Sequence, residues 1–129
     1  FGSIMGTLSH LLWGDLTWMA RFDTTLDKPG GTIAKSVGLV NDLRQWRAKR
    51  QDTDAAIINW AGGLTGEALV GDLLWFSGAA SREVRRPLAF CVAHMFNHQT
   101  HHRGQLHAMM TDVGLKAPVS DLFLLPEVA

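Results

Sequence analysis

Apolar residues recur at helical spacing in three separate stretches of the chain. The first stretch predicts a helix over residues 3–22, with Ser3 as the capping residue at its start. The second predicts a helix over about 33–50, and the third predicts the longest helix, over about 87–114, which Gly114 can end as a C-terminal cap. The chain is therefore expected to consist mainly of three long helices.

The segments between these helices have weaker patterns. Residues 27–31, DKPGG, are typical of a turn, and residues 54–62 predict a short helical segment that stops at two glycines. The stretch 67–86 contains an apolar run followed by a charged run, which fits either a short β-hairpin or an ordered loop. Residues 115–129 are expected to form an extended tail whose apolar side chains pack against the helices.

Composition and charge narrow the classes of function. At 129 residues we expect one domain over 1–129, and a hydrophobic content of 47% supplies its core. Lysine plus arginine and aspartate plus glutamate both number 12, so no basic field indicates nucleic-acid binding. The one basic cluster is interpreted as a solvated C-terminal helix end; it consists of Arg44, Arg47, Lys49 and Arg50.

The cellular context is inferred from features that the sequence lacks. Because Cys91 is the single cysteine, the chain cannot form an intramolecular disulfide. Cys91 lies in an apolar run, which favours a buried structural thiol over a reactive one. The sequence has neither a recognisable signal peptide nor an apolar stretch of membrane-spanning length. We therefore expect a cytoplasmic protein that has no membrane partner.

Histidine is concentrated in the predicted third helix, which holds five of the six histidines of the chain. On a helical wheel His98 and His102 fall in the middle of the apolar stripe, about 40° apart. His94 and His101 fall on its border, and His107 points away from it. The helix therefore directs two imidazoles towards its own core-facing side, where each needs a polar partner.

Two histidines spaced i, i+4 on a helix can share one cation, and a catalytic zinc site takes about three such ligands and leaves one position open. The sixth histidine, His10, lies on a face of the first helix with Thr7, Gly14 and Thr17, which are small enough to leave room beside an imidazole. A bundle can bring this face to the other two. Hydrogen-bonded histidines without any metal remain the alternative at this point.

The spacing of His98 and His102 also matches the H-E-x-x-H helix of zinc peptidases. In those enzymes the glutamate is the general base, and here that position is Gln99, which cannot accept a proton. A peptidase of this type is therefore disfavoured.

Three segments together resemble the DinB/YfiT-like family of metal-binding helical bundles: TLSHLLWGDLTWMARF, HMFNHQTHHRGQL and MMTDVGLKAPVSDLFLLP. The joint occurrence of Ser-His-x₄-Asp and His-x₃-His-Arg-Gly-Gln is more specific than either motif alone. The resemblance implies an all-α fold, a four-helix bundle with up-down-down-up connectivity, often dimeric. Since the family's first helix normally precedes the segment that begins at Phe1, we expect that helix to be absent from this sequence.

The resemblance also implies the site. The family's three histidine ligands match His10, His98 and His102, which would hold a divalent cation, Zn²⁺ or Ni²⁺. His94 and Gln105 are candidates for groups that hydrogen-bond a ligand or the substrate, and no residue is assigned as a catalytic acid or base.

The family resemblance favours a metal-dependent enzyme of the thiol S-transferase or hydrolase type. The metal would activate water or a low-molecular-weight thiol towards a small-molecule substrate. A non-catalytic, metal-stabilised dimerisation or interaction module is the alternative function. The two differ at the fourth coordination position, which an enzyme leaves open and a structural site fills with a protein atom.

Overall fold

The structure is a computed structural model and describes residues 1–126 of the chain. It is mostly helical, with α1 over Ile4–Phe22, α2 over Leu43–Gly62 and α3 over Leu88–Asp112. A two-stranded antiparallel hairpin, β1 over Asp72–Ser77 and β2 over Arg82–Pro87, precedes α3, and short 3₁₀ turns cover Ile33–Gly38, Glu67–Leu69 and Leu122–Leu124. The all-α expectation is therefore confirmed only in part, because the hairpin adds a small sheet.

Local capping explains where α1 and α3 begin and end. The Ser3 hydroxyl accepts a hydrogen bond from the Gly6 backbone N–H at 2.9 Å, so α1 begins where the sequence predicts. Gly114 adopts a φ of +75°, and the following Leu115 N–H donates to the carbonyl of Met110. This left-handed glycine ends α3 as predicted, since only glycine adopts that conformation without strain.

The predicted second helix is displaced. Residues 33–38 form only a 3₁₀ turn, and α2 begins at Leu43 because the Asp42 side chain accepts the Gln45 backbone N–H at 2.8 Å, whereas Thr32 makes no such bond. The apolar stripe therefore spans two elements. The predicted boundary near residue 54 is wrong, since Asp54 lies inside α2, but the stop at Gly62 is confirmed.

The core is built along the seam between α1 and α3, which run antiparallel. His10 faces His102, Gly14 faces His98, and Trp18 faces His94, so residue numbers that rise along α1 pair with residue numbers that fall along α3. The predicted apolar stripe of α3 is confirmed, because its inner positions are buried: Cys91, Met95, His102 and Leu106. The buried apolar residues of α1 include Leu11, Leu12 and Met19.

The C-terminal tail differs from expectation within residues 115–126. Its apolar side chains were expected to pack against the helices, but they are exposed, with Leu122 at 77% and Phe123 at 83%. That expectation is wrong for the described part of the tail. An extended segment has no periodic apolar face, so its sequence does not specify a surface against which it must pack.

None of the helices in the described part of the chain combines the length and the hydropathy needed to cross a lipid bilayer.

Candidate metal centre

Three histidines from two helices meet inside the seam. His10 of α1 and His102 of α3 are buried, and His98 of α3 is half-buried beside them. The Nε2 atoms of His10 and His98 lie 3.1 Å apart, and one nitrogen from each of the three rings lies within 4.8 Å of the others. The structure thus brings together the three residues that the sequence singles out.

The small face of α1 makes this approach possible. A Cβ atom placed on Gly14 would lie 2.8 Å from Cε1 of His98, which is closer than real side chains pack. Only glycine at position 14 leaves space for the His98 ring in this position. The predicted role of the small face beside His10 is therefore confirmed at this residue.

A serine outside both helices orients His10. Nδ1 of His10 lies 2.7 Å from the Ser36 hydroxyl, and that hydroxyl lies 2.6 Å from the backbone carbonyl of Ile33, which can only accept. Because the hydroxyl proton goes to the carbonyl, Ser36 accepts the Nδ1–H of His10. The lone pair of His10 is therefore on Nε2, which faces His98.

A glutamine orients His102 in the same way. Nδ1 of His102 lies 2.7 Å from Oε1 of Gln105, an acceptor, so the proton is on Nδ1 and the lone pair is on Nε2. The predicted hydrogen bond between Gln105 and a candidate ligand is therefore present, with Gln105 as the acceptor. His98 has no equivalent: its Nδ1 is buried and has no hydrogen-bond partner within residues 1–126.

Burial and mutual repulsion keep His10 and His98 neutral. Burial, followed by the charges of neighbouring His102 and His98, lowers the pKa of His10 to about 4. Burial, followed by the charges of His102 and His94, lowers the pKa of His98 to about 4. Both rings are therefore unprotonated near pH 7, which is the form that binds metal ions.

The donor set fits a divalent cation. Two imidazole nitrogens that face each other at 3.1 Å repel if both present lone pairs, unless a proton or a cation lies between them. His10 presents its lone pair because Ser36 holds its proton on the other nitrogen. Imidazole ligands suit Zn²⁺ and Ni²⁺, and hydrogen bonds from Nδ1 to a neighbouring acceptor are typical of metal-binding histidines.

The remaining histidines of α3 lie outside this cluster. His94 is exposed, and its ring packs edge-on against Trp18 at 5.1 Å between centroids; no hydrogen bond joins it to the three clustered histidines among the described residues. The sequence candidate His94 therefore lies in the wall of a cleft. His101 contacts Gln105 at 3.4 Å, and His107 is exposed.

A cleft of about 830 Å³ opens beside the three histidines. It runs between α1, the start of α3 and the hairpin, where Trp75 of β1 packs against Trp18 at 5.5 Å between ring centroids. The Phe1 ring stacks on His10 at 3.7 Å. Besides histidines, the lining of the cleft includes six phenylalanine or tryptophan side chains and three cations: Phe1, Trp13, Trp18, Trp75, Phe76, Phe90, Arg21, Lys28 and Arg86.

Cys91 also lies in the cleft wall, and only 1% of its surface is exposed. Burial raises the pKa of its thiol, so the neutral form is favoured. The prediction that Cys91 is a buried thiol is confirmed, and its low reactivity stays a prediction.

An ion pair lies on the side of α1 that faces α2. The Nη1 atom of Arg50 in α2 donates to Oδ2 of buried Asp15 at 2.6 Å, and Nη2 of Arg50 lies 2.7 Å from Asp54. The interpretation of the basic cluster as solvated is confirmed for Arg44, Arg47 and Lys49, which are exposed, but it is wrong for Arg50, and its placement at a C-terminal helix end is also wrong. The cluster lies in the N-terminal half of α2, and Arg50 is drawn inward by the buried carboxylate.

Comparison with known proteins supports the interpretation of the three histidines as a candidate metal site. The chain matches the model of the DinB family over residues 1–129, which is the whole sequence. No curated protein and no solved structure was found to match it. The family match and the three clustered histidines point the same way, and the chain belongs to the DinB family.

Proposed function

We propose that the protein is a metal-dependent enzyme of the thiol S-transferase or hydrolase type, in which His10, His98 and His102 hold a divalent cation, Zn²⁺ or Ni²⁺. The observation that carries this proposal is the meeting of three imidazole nitrogens beside an open cleft. With the family assignment we also propose the up-down-down-up bundle, a homodimeric assembly and a cytoplasmic location.

The chain's own residues would perform three tasks in this reaction. Ser36 and Gln105 fix the orientation of two ligand rings, and Gly14 gives the third ring its space. The aromatic walls of the cleft exclude water from the reacting groups. A divalent cation held by the histidines supplies the remaining chemistry, because it lowers the pKa of water or of a low-molecular-weight thiol and so gives a nucleophile at neutral pH.

The cleft favours an enzyme over a metal-stabilised dimerisation module. A structural site is closed by a fourth protein ligand, and only three candidate ligands are grouped here within residues 1–126. Phe1 covers one face of His10 with a ring that has no donor atom. A fourth position would therefore be available to water, a thiol or a substrate.

Metal analysis tests the site directly. Protein purified without a nickel column and analysed by mass spectrometry for metals should carry about one divalent ion per chain. His98→Ala and His102→Ala should each lose that ion. The matched control is His107→Ala, which removes an exposed histidine from the same helix and should keep the ion. Negligible metal in the parent protein, or equal metal in all three variants, would contradict the proposal.

Activity is tested by screening low-molecular-weight thiols and water against electrophilic small molecules. Turnover should require the metal, and His102→Ala should remove it while His107→Ala does not. Metal binding at full stoichiometry without turnover under any condition would favour the interaction module. In that case the homodimer should dissociate when a chelator removes the metal, which size-exclusion chromatography measures.

A further inference from the structure

The cleft beside the histidines carries positive charge that its own lining does not balance. Three cations line it: Arg21, Lys28 and Arg86. No acidic side chain of residues 1–126 lines it, and none forms an ion pair with Arg21. We propose that the cleft binds a flat apolar molecule that ends in a carboxylate, with the carboxylate on Arg21 and the opposite end at the histidines. The role of the histidine end rests on the proposed function.

Two tryptophans hold Arg21 in a binding position. Its guanidinium carbon lies 4.3 Å from the centroid of the Trp18 ring and 5.4 Å from that of Trp75. A guanidinium that stacks on aromatic rings has fewer conformations to lose and keeps its N–H edge free for a planar, two-point contact with a carboxylate. Burial lowers the pKa of Arg21, so an anion that replaces the lost water is favoured there.

The contrast with Arg50 shows that the cleft side lacks a counter-ion within residues 1–126. Arg50 is similarly removed from water on the other side of α1, and it pairs with both Asp15 and Asp54. A partly buried guanidinium without such a partner within residues 1–126 costs free energy that the fold has to offset elsewhere. A bound carboxylate supplies the missing partner.

The spacing along α1 sets the length of the ligand. His10, Gly14, Thr17 and Arg21 recur on one face, and Gly14 lies level with His98. Arg21 is seven residues beyond Gly14, which corresponds to roughly 10 Å along the helix. Between these two levels the lining is aromatic, so the body of the ligand has to be apolar and flat enough to pack against tryptophan.

Thr17 supports an oxygen-bearing ligand between these two ends. It is only 4% exposed and lines the cleft, and its hydroxyl has no hydrogen-bond partner among the described residues. A threonine in a helix normally bonds back to a carbonyl of the preceding turn. A ligand oxygen part of the way along the body would give this hydroxyl its partner.

The test measures affinity for a matched pair of probes by isothermal titration calorimetry. Para-phenylbenzoate has a rigid apolar body of roughly the required length and a carboxylate, and para-phenylbenzamide has the same shape without the charge. The carboxylate should bind about ten- to a hundredfold more tightly than the amide, as expected for a charge-assisted two-point contact. Arg21→Met keeps the apolar stem and should abolish this preference. Arg44→Met, which removes an exposed arginine from α2, should leave it unchanged.

Each titration is repeated on metal-loaded and on chelator-stripped protein. A preference that depends on Arg21 in both forms supports the inference, even if the protein proves to bind no metal and the proposed function fails. A preference that requires metal and survives Arg21→Met would place the carboxylate at the histidines and overturn the inference while the metal function stands. Equal binding of acid and amide to the parent protein also overturns it. Arg21→Lys separates charge from geometry, since it should restore only part of the preference.

Discussion

The two sides of α1 differ in how their charged groups are paired. On the side that faces α2, buried Asp15 is paired with Arg50, and Arg50 is also paired with Asp54. On the side that faces the cleft, the Thr17 hydroxyl has no partner, the Arg21 guanidinium has no counter-ion within residues 1–126, and His10 meets two further imidazoles.

This difference separates scaffold from site. The ion pairs of Arg50 with Asp15 and Asp54 join α1 to α2. Buried atoms without a hydrogen-bond partner occur there as well, on Asp15 (Oδ1) and Arg50 (Nε), so the two sides differ in the counter-ion, which Arg50 has and Arg21 lacks within residues 1–126. Unpaired groups on the cleft side weaken the fold, so their presence is best explained by a bound partner that satisfies them. If the two sides have these separate roles, variants on the α2 side should affect mainly stability, and variants on the cleft side should affect mainly binding.

The largest expected effect is on the pH dependence of stability, to which the histidines on the cleft side and Asp15 on the α2 side should contribute with opposite signs. A histidine whose folded-state pKa lies below its unfolded value binds fewer protons when folded, so acid favours the unfolded chain. The pKa values of His10 and His98 are each lowered from 6.5 to about 4. In metal-free protein their contribution to the free energy of unfolding should therefore fall as pH drops from 6.5 to about 4, by on the order of 5 kcal/mol in total.

Asp15 should contribute with the other sign. Burial raises its pKa, although the Gln99 amide and the Arg50 guanidinium both oppose that shift. Its contribution is therefore greatest in acid and is lost as pH rises through its folded-state pKa. Urea unfolding at a series of pH values measures the sum. His10→Asn with His98→Asn should flatten the dependence between pH 6.5 and 4, and an unchanged slope would show that these rings do not titrate as inferred.

The next effect concerns stability at neutral pH. Asp15→Ala leaves Arg50 partly buried without its nearest carboxylate and should lower the free energy of unfolding by about 3 kcal/mol or more. Arg21→Met, on the cleft side of the same helix, removes a charge that stacks but has no counter-ion and should lower it by less than about 1 kcal/mol. Denaturant titration measures both. Equal losses for the two variants would remove the distinction between scaffold and site.

Gly14→Ala should disturb the cleft side alone. The added methyl carbon would meet the His98 ring at 2.8 Å, so that ring has to move away from His10. We expect a loss of about 2 kcal/mol in stability from overpacking. Gly104→Ala is the matched control, because a Cβ there meets nothing within 4 Å on α3. Metal titration should show weakened binding for Gly14→Ala only; unchanged metal affinity would mean that His98 is not a ligand.

The parts of the site that the sequence predicts are those that a single helix fixes. The i, i+4 spacing places His98 and His102 on one side of α3, and Gln105 lies one turn beyond His102, within hydrogen-bonding reach. The small face of α1 that carries Gly14 is also visible in the sequence. His10 is a candidate because it is the one histidine outside the cluster and lies on that face, and the family resemblance supports it; no rule of spacing links residues 88 positions apart.

The parts that the sequence does not predict depend on how elements meet. Ser36 orients His10, but the apolar stripe around it was interpreted as a long helix, in which Ser36 had no assigned partner. Arg21 lies in the last turn of α1, where a cation is favoured by the helix dipole alone and needs no other explanation. Only the hairpin, which places Trp75 opposite Trp18, turns that position into the wall of a cleft.

The smallest effect expected here concerns the groups that orient the ligands. Ser36→Ala removes the acceptor for Nδ1 of His10 and should lower metal affinity about tenfold, or about 1.4 kcal/mol, as is usual for the loss of such a partner. Ser9→Ala is the matched control, since Ser9 is also buried on this side of the fold but donates to the Val40 carbonyl at 3.2 Å. Its metal affinity should stay within about twofold of the parent, because removing it leaves the proton of His10 in place. Competition titration with a chromogenic chelator measures both. If Ser9→Ala weakened metal binding as much as Ser36→Ala, the effect would come from general loosening of this segment, and the orientation of His10 would not depend on the serine beside it.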